Sequence, residues 1–138
     1  MGHSETHRAQ HQRFNDRDFE AMIADLAPDF HFEDVPRGLM LKNVDDFRAW
    51  IESWPAAFSD ARVDSGLYLD GEDFSVGRFH ARGTNDGPLG PFAGMGRTMD
   101  LPMCEVLRYD AAGKVVSGEL YYDQVSMLAQ LGHIEAPG

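Results

Sequence analysis

The 138-residue chain carries twenty-three acidic against twelve basic residues, a formal net charge of −11 with histidines neutral, and Lys42 and Lys114 are its only lysines. That balance argues against a nucleic-acid partner, whose phosphates are held largely by Lys and Arg, and no stretch approaches a signal peptide or the ~20 apolar residues of a membrane span. The lone Cys104 excludes an intramolecular disulfide and fits a reducing cytoplasm, so the sequence predicts a cytoplasmic protein of one domain, residues 1–138, without a membrane partner.

Residues 4–14 read as a polar helix that Asn15-Asp16 end. His3, His7 and His11 are spaced by four and would stack along one face of it, an acceptable geometry for a metal. No carboxylate or cysteine is evidently placed to finish a site at this fraying end, so the row reads as a solvated face and no metal is expected. From Asp18 to Leu26, Phe19, Met22, Ile23 and Leu26 follow the i, i+3, i+4, i+7 rule of a second helix. Phe30 and Phe32 then alternate with His31 and Glu33 in a short strand, closed by the Pro36-Arg37-Gly38 turn. A third helix is capped by Asn43, carries Asp45 and Asp46 at its positive end, and lines up Phe47, Trp50, Ile51 and Trp54. Pro55 predicts its end near Trp54.

Extended segments follow at 60–70, 73–84, 97–109 and 114–123, with turns at 70–72, 86–96 and 110–113. Leu128 and Leu131 lie one turn apart in a closing helix, with Gly132 where it would end. Helices first and an antiparallel sheet after them predict an α+β fold with the helical stripes against one sheet face.

Within 97–109, alternation puts Met99, Leu101, Met103, Glu105 and Leu107 on one side. A lone carboxylate there would be costly to ionise, so the Glu105 pKa would rise and the group could act as a general acid or base; the alternative is an arginine pair or a solvated edge. In the preceding strand Phe74, Val76, Arg78, His80 and Arg82 oppose Ser75, Gly77, Phe79, Ala81 and Gly83. Facing inward, Arg78 and His80 could hold an anionic oxygen; facing outward, they are a solvated face or a dimer contact, and the alternation leaves the phase open. Asp123 stands just before the last helix, where it could cap or catalyse. Tyr121 and Tyr122 point to opposite faces, so one of them can line a cavity.

The run Gly113-Lys114 through Tyr121-Tyr122-Asp123 to Gln130-Leu131-Gly132, together with Gly83-Thr84-Asn85-Asp86-Gly87, Gly96-Arg97 and Val106-Leu107-Arg108-Tyr109, resembles the SnoaL-like polyketide cyclases of the nuclear transport factor 2-like superfamily. The resemblance implies a cone-shaped curved antiparallel sheet wrapped around N-terminal helices, a cystatin-like α+β barrel, and a homodimer through the opposite sheet face. Counted back without gaps from Gln130-Leu131-Gly132, the aspartate used as acid/base by aromatic-polyketide cyclases falls on Leu120, and its accompanying histidine near Glu105. Leu120 cannot transfer a proton, which counts against cyclase chemistry proper, and Asn85 replaces the histidine of the Gly-Thr-His-x-Gly station. The superfamily resemblance includes ketosteroid isomerases and limonene epoxide hydrolases, whose full carboxylate sets are not recognisable here.

Residues and resemblance together predict a pocket for a small hydrophobic molecule. As an enzyme it would use proton transfer, without metal or organic cofactor, for isomerisation, ring closure or hydrolysis of a small apolar carbonyl or epoxide compound. Glu105, His80 and Asp123 are the expected catalytic groups, with Tyr122, Asn85, Trp50, Met103 and Leu120 against the substrate. The alternative is a non-catalytic binder or a dimeric adaptor.

Overall fold

A computed structural model describes residues 2–136; Met1, Pro137 and Gly138, the ends of the expected 1–138 domain, lie outside the described residues. In chain order the elements are α1 (His3–Asn15), α2 (Phe19–Ala24), β1 (Leu26–Asp34), β2 (Leu39–Leu41), α3 (Val44–Ala57), β3 (Arg62–Asp70), β4 (Phe74–Thr84), β5 (Thr98–Tyr109), β6 (Val115–Tyr121) and α4 (Gln124–Gln130). The strands form one curved, unclosed sheet in the order β2-β1-β6-β5-β4-β3. Neighbours run antiparallel except β1 and β6, which are parallel. The expected α+β architecture holds, with one parallel pair in the middle of the sheet.

The core lies between the inner sheet face and the helices. α3 buries Phe47, Trp50, Ile51, Trp54 and Ala57, and Phe30 and Phe32 of β1 meet that stripe, with Phe30 edge-on to Phe47 at 5.2 Å and Phe32 against Trp50 at 5.1 Å. Offset and edge-on ring contacts of this kind add to what burial alone contributes. Asn43 caps α3 by accepting from the Asp46 N–H at 2.8 Å. α3 runs past Pro55 to Ala57 rather than stopping at Trp54. A proline in the last turn forfeits a single N–H bond, and the Phe58 N–H donating to the Trp54 carbonyl at 2.8 Å closes the end.

α2 ends at Ala24, and Leu26 belongs to β1, paired with Val115. Pro28 disfavours helical backbone at Ala27, and a register shift between Leu26 and His31 absorbs the proline in the strand. The three-residue β2 was not foreseen; it folds back on β1 through the predicted 36–38 turn.

α1 is not frayed. Asp70 of β3 accepts from the Ser4 N–H at 2.8 Å, which satisfies a donor that the Gly2 N-cap cannot. Its buried residues are His7, Gln10, His11 and Phe14, so three of the four are polar. A helix that buries such a stripe needs specific partners beneath it.

Inner and outer faces of the sheet are fixed by burial. On β5, Met99, Leu101, Met103, Leu107 and Tyr109 are buried with Glu105 among them, and on β4 it is Ser75, Gly77, Phe79 and Gly83 that turn inward. The cationic face of β4 is therefore the outer one. β3 changes phase at a bulge between Asp64 and Leu67, where Ser65 has φ 56°. Val63 packs against the core before the bulge, and Tyr68 reaches α1 after it.

Candidate functional site

Between α1, α3 and the inner sheet face lies a cavity of about 80 Å³, walled by apolar side chains such as Phe14, Trp50, Trp54, Phe79, Met103 and Leu120. Gln10, His11 and Glu105 bring polar groups to its wall. The volume suits a small organic molecule or a few waters.

Glu105 is held by two imidazoles of α1. His7 Nε2 lies 2.9 Å and His11 Nε2 2.7 Å from the same oxygen, Oε1, and Oε2 has no hydrogen-bond partner among the described residues. Both far nitrogens meet hydroxyls: His7 Nδ1 is 2.7 Å from Ser75 Oγ, and His11 Nδ1 is 2.6 Å from Tyr68 Oη. The chain of contacts continues from Ser75 Oγ to Tyr109 Oη at 2.8 Å. His3 stands apart from the carboxylate, its ring stacked on Tyr109 at 4.0 Å between centroids. His7, His11 and Glu105 form a group whose ligand-type atoms all lie within 4.8 Å of one another.

Local sequence explains the convergence. Spacing by four puts His7 and His11 on one helix face. The residue paired with Glu105 across the strands is Gly77, and a Cβ there would lie 3.0 Å from His7 Nε2 and 2.9 Å from Tyr68 Cε1. Glycine thus leaves the slot through which His7 reaches the carboxylate.

The electrostatics differ from the sequence expectation. Burial does push the Glu105 pKa up, but the electrostatic and hydrogen-bond effects of His11 and His7 outweigh it and hold the carboxyl down at about 2. The partner is neither an arginine nor solvent. His7 is fully buried, and desolvation lowers its pKa against the opposing pull of Glu105. Neutral His7 donates through Nε2–H to Glu105, and its Nδ1 accepts from the Ser75 hydroxyl. Burial pushes the Tyr68 and Tyr109 phenols up to about 12, so both remain protonated.

The other sequence candidates are distributed around this chamber. Met103, Leu120 and Trp50 line it; Leu120 is the cross-strand partner of Glu105. Trp50 also donates through its indole N–H to the buried Asp34 at 3.0 Å. Tyr122 lies behind that wall and donates to Asp34 at 2.9 Å; burial, then the Asp34 charge, raise its pKa. His80 is on the outer sheet face, with Nδ1 2.7 Å from Asp100 Oδ1, because the small-residue face of β4 is the one that turns inward. Asp123 caps α4, accepting from the Ser126 N–H at 3.1 Å and hydroxyl at 2.9 Å; the former lowers its pKa most. Asn85 is fully buried and ties the end of α3 to the C-terminal segment, donating to the Ala57 carbonyl at 3.0 Å and bonding His133 Nε2 at 2.8 Å.

Sequence reasoning missed His7, His11, Ser75, Tyr68 and Tyr109. The signal was the four-residue histidine spacing, set aside as a solvated face; His7 is 0% and His11 8% exposed, because α1 packs on β3 and β4. The carboxylate that completes the group comes from β5, 94 residues beyond His11.

A family model described as SnoaL-like polyketide cyclase matches residues 5–131. No curated protein matches the chain. Among solved structures, a proposed polyketide cyclase from Pseudomonas putida KT2440 superposes with a TM-score of 0.86 at 20% identity, over 95% of this chain and 98% of that one. Another from Xanthomonas campestris pv. campestris gives 0.85 at 17% identity, over 94% and 96%. IdmH, a proposed polyketide cyclase from Streptomyces antibioticus, gives 0.82 at 24% identity, over 96% and 99%. At these identities the likeness is one of fold.

Two outcomes follow from this geometry. Gly77→Ala should cost roughly 1–3 kcal/mol by crowding His7 and Tyr68, and His7→Ala in the same chain should recover part of that loss, as a double-mutant cycle in urea denaturation would measure. Acid should weaken the fold in two stages. His7, with its pKa lowered from 6.5, withdraws stability as pH falls below about 6.5; Glu105, held at about 2 against an ordinary 4.5, withdraws it as pH falls below about 4.5. Urea midpoints between pH 8 and 2 check this, and His7→Gln should remove the upper stage.

Proposed function

The chain belongs to the SnoaL-like polyketide cyclase family, and on that premise we propose that its chamber binds a small, mostly apolar carbonyl compound and moves a proton on it, in isomerisation or ring closure. The observation that carries this reading is Glu105: an ionised carboxylate at an apolar chamber wall, fixed through one oxygen and without a hydrogen-bond partner at the other among the described residues.

A carboxylate of such low pKa is a weak base, so the reading favours a C–H flanked by two carbonyls over one beside a single carbonyl. Glu105 Oε2 would take that proton, leaving an enolate. In an isomerisation the carboxyl returns the proton to another carbon. In a ring closure the enolate carbon bonds to a second carbonyl carbon, and the proton goes to the alkoxide so formed. Leu120 and Trp50 would serve as walls.

α-Proton exchange of simple 1,3-dicarbonyl compounds in D₂O tests this, compared with buffer alone. Wild type should accelerate exchange, and Glu105→Gln should lose roughly 10²–10⁴-fold of the acceleration while still quenching Trp50 and Trp54 fluorescence on binding. Quenching by wild type without exchange would instead favour the non-catalytic binder.

We also propose a homodimer through the outer sheet face, where Leu67, Leu69, Phe74 and Tyr121 are exposed. Leu67→Lys with Leu69→Lys should convert a dimer into a monomer in sedimentation, and a wild type already monomeric at every concentration would sink the idea. A reducing, cytoplasmic setting suits the free Cys104.

A further inference from the structure

Beyond the proton-transfer reading, and independently of it, we propose that His7, His11 and Glu105 are the ligands of a divalent first-row transition-metal ion whose open coordination positions face the chamber. Two imidazoles from successive turns of α1 aim Nε2 at one carboxylate oxygen, at 2.9 and 2.7 Å. All three ligand atoms lie within 4.8 Å of one another. Metal–ligand bonds of about 2.0–2.1 Å separate neighbouring ligand atoms by about 2.8–3.0 Å at right angles, and by about 3.3–3.4 Å in a tetrahedron. The 2.9 Å separation falls within the right-angled range and the 2.7 Å one just below it, both well short of the tetrahedral spacing. Two imidazoles and one carboxylate on one face of an octahedron leave the opposite positions for substrate or water.

The surroundings suit the same role. A metal-bound imidazole carries its proton on the other nitrogen and needs an acceptor there. His7 Nδ1 has Ser75 Oγ at 2.7 Å, and His11 Nδ1 has Tyr68 Oη at 2.6 Å. A hydroxyl can accept from a metal-bound ring as readily as it donates to a free one, so loading requires no repacking of this outer layer. Glu105 Oε2 has no partner among the described residues, which leaves the second carboxylate oxygen available to the ion. The cavity begins at His11 and Glu105, so a bound ion would meet any molecule lodged there. Imidazole nitrogens select zinc, iron(II) or cobalt(II) over calcium and magnesium, which prefer oxygen sets. His3 is not a ligand: its ring stacks on Tyr109, with Nε2 3.1 Å from the Glu72 carbonyl oxygen.

Chelator-treated full-length protein should be titrated calorimetrically with Zn²⁺ and, separately, with Co²⁺ while its visible spectrum is recorded. We expect one equivalent per chain and new cobalt bands in the visible. Zn²⁺ affinity should fall at least about 100-fold in Glu105→Gln and His11→Gln, and about 10–100-fold in Ser75→Ala, which keeps all three ligands. His3→Gln should bind as wild type does. Circular dichroism identifies any variant that fails to fold, and Ser75→Ala then carries the comparison. Wild type that takes up no cobalt, or Glu105→Gln and His11→Gln variants that bind as tightly as wild type, would overturn the site, the latter by placing the ion on adventitious surface groups. Proton exchange that persists in protein with no metal uptake removes this site and leaves the Glu105 base standing; uptake without exchange does the reverse.

Discussion

An ionised carboxylate inside an apolar chamber is the constraint on which the rest of this structure turns. Left unpaired, a buried charge costs several kcal/mol, and Glu105 could meet that cost by protonating, by pairing with an arginine or lysine, or by collecting imidazole donors. It collects two imidazole N–H groups on one oxygen. That choice keeps the charge in place. The second oxygen has no hydrogen-bond partner among the described residues.

The surrounding backbone follows from that pairing. α1 has too little apolar surface to dock by hydrophobic burial alone, since only Phe14 among its four buried residues is apolar. Its seat is built from polar matches: Asp70 at its first turn, Ser75 and Glu105 under His7, Tyr68 and Glu105 beside His11, and Gln10 donating to the Met22 carbonyl at 3.0 Å. β4 supplies Ser75 and Gly77 where large residues would fill the space, and the β3 bulge rotates Tyr68 into reach. Satisfied polar networks of this kind fix one arrangement, because each partial alternative leaves a buried group unpaired.

What the sequence made legible was periodicity. The α3 stripe and the β5 alternation gave the core and placed Glu105 on the same strand face as Met103 and Leu107, since both are local repeats set by the backbone. The chamber's polar half was not legible in that way. Whether β4 turned His80 or Gly77 inward depends on what packs above it, and that is α1, seventy residues earlier. The histidine spacing was visible, but its burial was not, because a polar helix declares no apolar face. The parallel β1–β6 pair was hidden for a related reason: strand order depends on which segments share the core, and alternation within one strand carries no such information.

The register of β5 against β6 also bears on how the chamber relates to the family resemblance. That resemblance put an acid/base aspartate at Leu120 and its histidine near Glu105, and these two positions are direct cross-strand partners on the inner face. A carboxylate and an imidazole still meet at this corner. Relative to the positions the resemblance implies, the carboxylate stands one strand over, on β5, and the imidazole comes from α1. Cβ atoms of such partners stand about 4.5–5.5 Å apart, so the exchange moves the negative charge by roughly the width of one strand, and the apolar Leu120 takes the vacated wall. A substrate oriented by the same aromatic stripe would then present a different atom to the base. Under the proton-transfer proposal, the carboxylate that would take the proton therefore stands at a different position from the one the resemblance implies.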